Sequence, residues 1–210
     1  MADSAPNRRH TLLVRITHWI HTAGFLALVV SGAAILLAHP RLYWGESGGY
    51  PSPALVELPL PLNLDQSGWG RSLHFLAAWV CVFNGTLYVL SGIASRHFKN
   101  NLLPAKRPLL NHDLTAYNAL QRLTYLTVIF FLFPLMIFTG LAMSPAVTSV
   151  LPILVDFFGG YQSSRTVHFF AAGLLILFLV VHVVMVYRAG FRIRMRAMIT
   201  GRGAANAEAL

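Results

Sequence analysis

The chain has 210 residues, 56% hydrophobic and only 11% charged, with a formal net charge of +9. A soluble domain of that size has too little interior to hide so much apolar surface, which excludes a water-soluble fold and points to a polytopic membrane protein. The single cysteine, Cys81, excludes an intrachain disulfide.

Four apolar stretches, about 12–38, 70–95, 119–143 and 165–190, each reach the roughly 20 residues that a bilayer-crossing helix needs. They predict an all-α integral membrane protein, a four-transmembrane-helix bundle forming a single domain over residues 1–210. Arg8 and Arg9 precede the first stretch as they would in a secretory signal. That stretch is too long for a signal core, and Arg15, His18 and His21 interrupt its start, so it is read as a retained helix.

The first loop, 39–69, carries HPRLYWGESGGYPSPALVELPLPLNLDQSGW. Tyr43, Trp44, Tyr50 and Trp69 suit an interfacial belt. The apolar PALVELPLPLNL section suits a cap on the bundle that docks a partner, or else a re-entrant packing loop. The third span opens YNALQRLTYL, with Gln121, Arg122 and Tyr125 on or near one helical face. A piece led by Pro152 is expected to form a short interfacial helix, and AGFRIRMRAMITGRG, after the fourth span, to rest on anionic lipid.

The positive charge is not spread as it is on a nucleic-acid-binding protein. Arg8, Arg9 and Arg15 start the chain; Arg96, Lys99, Lys106 and Arg107 follow the second span; Arg188, Arg192, Arg194, Arg196 and Arg202 follow the fourth. The other two loops hold Glu46, Glu57, Asp65 and Asp156 against Arg41. With four crossings every basic cluster falls on one side, the positive-inside pattern, so both termini are expected in the cytoplasm of a bacterium and the spans in its inner membrane. Membrane lipid is therefore an expected partner and nucleic acid is not.

His168 and His182 stand fourteen residues apart in the fourth span, close to four helical turns, so both project from one face roughly 21 Å apart. Span direction supplies partners by depth: His18 with His182 toward the cytoplasm, His74 with His168 toward the outside. Two imidazoles leave zinc short of its usual four ligands. They suffice for haem iron, whose porphyrin supplies four, and bis-histidine ligation favours electron transfer over ligand binding. His18, His74, His168 and His182 are thus the expected axial ligands of two b haems, with His21, one turn on, as an alternative to His18. No Cys-x-x-Cys-His run is present for covalent attachment. Arg15, Arg71 and Arg165 each precede a ligand by three residues, which puts them on the same face to pair haem propionates; snorkelling to the interface is the competing role. Gln121, Arg122 and Tyr125, with His97 and His112 nearby, form a possible quinone headgroup site beside the inner pair.

RITHWIH in the first span, RSLHF in the second and RTVHFFAAGLLILFLVVHVVMV in the fourth resemble the bacterial di-haem cytochrome b family. That family includes bacterial cytochrome b561, the b-type subunit of Ni/Fe-hydrogenases and the cytochrome b subunits of thiosulfate-reductase-like enzymes. The resemblance covers nearly the whole chain and implies two b haems exchanging electrons between quinone and a partner. RLYWGE and LMIFTGLAMSP look closest to subunits that accompany periplasmic molybdopterin oxidoreductases. The expected function is electron transfer between the quinone pool and such a partner. The alternatives are a stand-alone superoxide:quinone oxidoreductase of the cytochrome b561 type, against which the external acids weigh, and a haem-free transporter, against which the scarcity of acids within the spans weighs.

Overall fold

The computed structural model describes residues 11–49, 51–60, 68–96 and 119–201. Four helical segments are long and apolar enough to cross a membrane, Leu12–Ala38, Trp69–Ala94, Leu123–Ala142 and Tyr161–Arg188. In chain order the elements are α1 (Leu12–Ala38), a two-residue ribbon of β1 (Arg41–Leu42) and β2 (Val56–Glu57), and α2 (Trp69–Ala94). The third span follows as α3 (Ala119–Thr127), a π-helical turn (Val128–Leu132) and α4 (Phe133–Ala142). Short α5 (Pro145–Thr148) and α6 (Ile153–Phe157) then lead into α7 (Tyr161–Arg188) and α8 (Phe191–Thr200).

The closest packing of spans is between α1 and α2 and between α4 and α7. In lipid the hydrophobic effect gives helices no reason to associate, so small residues that let backbones approach carry the packing. Thr17, Gly24 and Ser31 are buried on α1, and Gly70, Ala77 and Asn84 on α2. Both sets repeat every seven residues, the period that keeps a seam facing its neighbour along a left-handed crossing. The levels match in antiparallel order. Asn84 Nδ2 donates to the Thr17 carbonyl at 2.8 Å. A Cβ on Gly24 would lie 2.6 Å from Cys81 Sγ, and one on Gly70 would lie 3.7 Å from the Ser31 carbonyl.

The third span is expected as one continuous α-helix over 119–143, and here the structure differs. The Phe133 amide bonds back five residues to the Val128 carbonyl. Pro134 has no N–H for the Phe130 carbonyl and its ring would strike that carbonyl; widening the turn by one residue relieves both. Val128 and Leu132 of this turn and Leu175 of α7 form the buried centre, against which Phe25 of α1 packs together with Phe133, Met136 and Phe178.

At the end of the bundle that carries the 39–68 connection, the loop end, the chain folds back as a cap. Leu42 and Tyr43 are buried. The Gly45 carbonyl accepts from the Gln162 and Ser163 amides, the Glu46 carboxylate accepts from the Tyr161 amide at 3.3 Å, and Ser163 Oγ accepts from the Gly45 amide at 2.7 Å. The first-turn amides of α7, which no intrahelical carbonyl can satisfy, are met in this way. Thr166 Oγ1 adds a hydrogen bond to the Tyr43 carbonyl at 2.6 Å. Tyr43 therefore belongs to the cap and not to the interfacial belt; Trp44 and Trp69 are exposed as a belt requires, and Tyr50 lies outside the described residues. At the opposite, terminal end α8 returns to α1: Trp19 Nε1 donates to the Met198 carbonyl at 3.3 Å and the Arg15 guanidinium to that of Ile199. Cationic and N–H donors there satisfy the last carbonyls of α8.

Gly160, the N-cap of α7, has φ +115°, and a Cβ on it would sit 2.4 Å from the Gly45 backbone. Gly160→Ala is expected to destabilise the protein by about 2 kcal/mol or more, through an unfavourable φ and displacement of the cap. Gly49→Ala, where a Cβ meets nothing within 4 Å, is the control. Thermal unfolding in detergent checks it: equal midpoints for the two variants would contradict the capping role.

Candidate functional site

Toward the loop end, His74 of α2 and His168 of α7 face one another with ring centroids 6.2 Å apart and planes crossed at 62°. Two metal–imidazole bonds of about 2 Å each, plus about 1 Å from nitrogen to ring centre at either end, span roughly 6 Å. The pair therefore has the reach to hold one iron between them. Each ring is tied by Nδ1 to a hydroxyl on the helix packed beside its own: Ser31 Oγ lies 3.0 Å from His74 Nδ1, and Thr139 Oγ1 lies 2.8 Å from His168 Nδ1.

The glycines beside those hydroxyls complete the arrangement. A Cβ on Gly32 would lie 3.5 Å from His74 Cε1, and one on Gly140 would lie 3.6 Å from His168 Cε1. Side-chain atoms at those two positions would fill space bordering the rings. Among the described residues no three His, Cys, Asp or Glu come together to hold a metal ion. Two neighbouring imidazoles thus suit a metal whose remaining ligands arrive with a cofactor, as haem iron does.

Toward the terminal end the geometry is looser. Tyr125 Oη lies 3.4 Å from His182 Nδ1, and Phe178 lies against the same imidazole with ring centroids 5.9 Å apart. The His18 ring meets Trp19 edge-on at 5.4 Å, and His21 meets Phe133 at 4.9 Å. Spacing orders the face of α1: His18, Phe25 and Gly32 repeat every seven residues, as do His182, Leu175 and His168 in the opposite direction on α7. Phe25 packs on the cluster that contains Leu175, and Gly32 lies beside the His74–His168 pair. One heptad from Phe25 and Leu175 toward the terminal end, about 10 Å along each axis, stand His18 and His182. The spacing thus favours His18 over His21 as the residue level with His182, and ring contact brings His74 and His168 together.

The three arginines are placed differently from one another. Arg165 donates to the His39 carbonyl, Arg15 to that of Ile199, and Arg71 is exposed. Arg15 Nε is buried with no hydrogen-bond partner among the described residues, a donor left for an anionic group. Of the candidate quinone residues, Tyr125 is half-buried against His182. The side chains of Gln121 and Arg122, and His97 and His112 altogether, lie outside the described residues.

The sequence reading did not single out Ser31, Thr139 or Asn84. The dipeptide of hydroxyl then glycine at Ser31-Gly32 and Thr139-Gly140 recurs within the spans at Ser91-Gly92, so it does not by itself mark the two positions.

These features define a class, a membrane b-type cytochrome of electron transfer. A family model described as prokaryotic cytochrome b561 matches residues 9–201, and the chain belongs to that family. Among curated proteins it is similar to one from Azospira oryzae named "Putative protein-methionine-sulfoxide reductase subunit YedZ1", at 33% identity over 193 residues, covering 84% of this chain and 89% of the relative. No solved structure matches.

His39, just beyond α1, has its pKa lowered, first by burial and then by the charges of Arg165 and Arg71. A histidine depressed below its unfolded value of 6.5 stabilises the fold fully above pH 6.5, and that contribution is lost as pH falls through the depressed value. The thermal midpoint in detergent is expected to drop as pH is taken below 6.5, and to drop less in His39→Gln. Identical pH profiles for the two proteins would contradict this.

Proposed function

We propose that the protein carries electrons across the inner membrane through two b haems, between the quinone pool and a periplasmic oxidoreductase. His74 and His168 hold the outer haem, His18 and His182 the inner one, and both chain termini lie in the cytoplasm. The observation that carries this is the facing of His74 and His168 with Nδ1 of each engaged by a hydroxyl, which leaves Nε2 to the metal. A bound b haem would supply one-electron exchange, and two histidine ligands would favour that over binding of a further ligand.

The protein's own groups do the rest. The helices fix the two pairs about 21 Å apart along α7, so an electron moves between leaflets without either pair moving. Val128, Leu132, Leu175 and Phe25 exclude water from the level between the pairs. Arg15, Arg71 and Arg165 are the proposed partners of haem propionates, supported for Arg15 by its unmatched Nε. Gln121, Arg122, Tyr125, His97 and His112 are the proposed surroundings of a quinone headgroup.

The partner is proposed to be a periplasmic molybdopterin enzyme that reduces a sulfoxide, since the relative's name is that of a sulfoxide reductase subunit. The cap formed by β1, β2 and the start of α7 is the face presented to it. Haem quantitation on purified variants tests the ligand assignment. His74→Ala and His168→Ala are each expected to lower haem content from about two per chain to about one, with loss of the same spectral component. His18→Ala and His182→Ala should remove the other component. Full haem retention in His74→Ala would sink the assignment.

A further inference from the structure

The hydroxyls of Ser31 and Thr139 occupy equivalent places in the two halves of the bundle. Each donates to the carbonyl four residues earlier in its own helix, Ser31 Oγ to Ala27 and Thr139 Oγ1 to Leu135, at 2.7 Å in both cases. A hydroxyl has one proton, so toward the imidazole each oxygen can only accept. Each contact therefore requires the proton on Nδ1, which leaves the lone pair on Nε2.

The geometry also fixes how each ring is turned. One tie comes from α1 and the other from α4, so the two imidazoles are gripped from different helices and stand crossed at 62°. Ser31 and Thr139 are each fully buried, with 0% exposure. In a membrane interior no water replaces either contact, so a ring released from its hydroxyl has lost a partner that nothing else restores.

We propose that Ser31 and Thr139 are the positioning residues of the outer site. They lock both imidazoles in the Nδ1–H tautomer with their planes crossed, and the hydrogen bond they accept makes each Nε2 a stronger donor to the ferric iron. The inference rests on His74 and His168 being haem ligands. It goes beyond that assignment in naming what sets the potential and the ring orientation of one haem and not the other. At the inner level Tyr125 Oη lies 3.4 Å from His182 Nδ1, a longer contact than either outer one.

The test uses the purified holoprotein with Ser31→Ala, Thr139→Val, and the hydroxyl-preserving Ser31→Thr and Thr139→Ser. Three quantities are read: haem content, the midpoint potential of each haem, and the low-temperature EPR signal of the oxidised low-spin haems, which reports the angle between axial imidazole planes. Ser31→Ala and Thr139→Val are each expected to raise the outer-haem potential, change its EPR signal and weaken its retention roughly 10- to 100-fold, the range for loss of a ligand's outer hydrogen bond. The inner haem should keep its potential and signal, and the hydroxyl-preserving variants should match the parent. Removal of either hydroxyl with outer potential and EPR unchanged overturns the proposal. So does an equal shift of both haems, which marks a general packing defect. If a hydroxyl-free variant does not assemble, its hydroxyl-preserving counterpart decides: an altered outer signal there also overturns it. Failure of the ligand assignment is distinguishable, because His74→Ala and His168→Ala would then keep the parent's haem.

Discussion

An imidazole inside a bilayer has no water to satisfy it, so each of its nitrogens must find a partner on a neighbouring helix or on a cofactor. That constraint organises the bundle. His74 and His168 meet it on one side through Ser31 and Thr139, with their rings against one another. The helix pairs follow from it as well. α1 must lie beside α2, and α4 beside α7, at a register that delivers the hydroxyl to the imidazole. The seven-residue seams of small and polar residues supply that register.

The rest of the architecture maintains these levels. The cap at the loop end ties Gly45, Glu46 and Tyr43 to the start of α7, which limits axial slip of the helix that carries two of the histidines. Arg15 and Trp19 anchor α8 beside the start of α1 at the other end. The π-helical turn ahead of Pro134 lets the third span keep both Tyr125 and Thr139 against α7, facing His182 and His168 respectively. An inserted residue there resets the phase of one half of a span against the other, a common use of such turns near functional sites.

Much of this was legible in the sequence because membrane helices obey few rules. Length and hydropathy place α1 and α2 to within about a residue, and intramembrane histidines announce themselves by their cost. Depth alone pairs His74 with His168. The hydroxyls were not legible, because serine and threonine occur in membrane helices without penalty when they bond back to the preceding turn, as Ser31 and Thr139 also do. Residues 43–46 fold back on α7 through backbone and side-chain hydrogen bonds that hydropathy does not encode, whereas the PALVELPLPLNL section lies partly outside the described residues and its two readings stay open. Tyr43 was misplaced for a related reason: an aromatic at a span boundary suits an interfacial belt equally well until a partner such as Thr166 is known.

The account stands on two levels of paired histidine in one bundle. The most direct measurement is the absorption spectrum of the purified, unmodified protein, reduced minus oxidised, with haem quantified per chain. Two non-covalent b haems, both six-coordinate and low-spin, are the predicted result. A single haem, or a high-spin component with an open axial position, would contradict it.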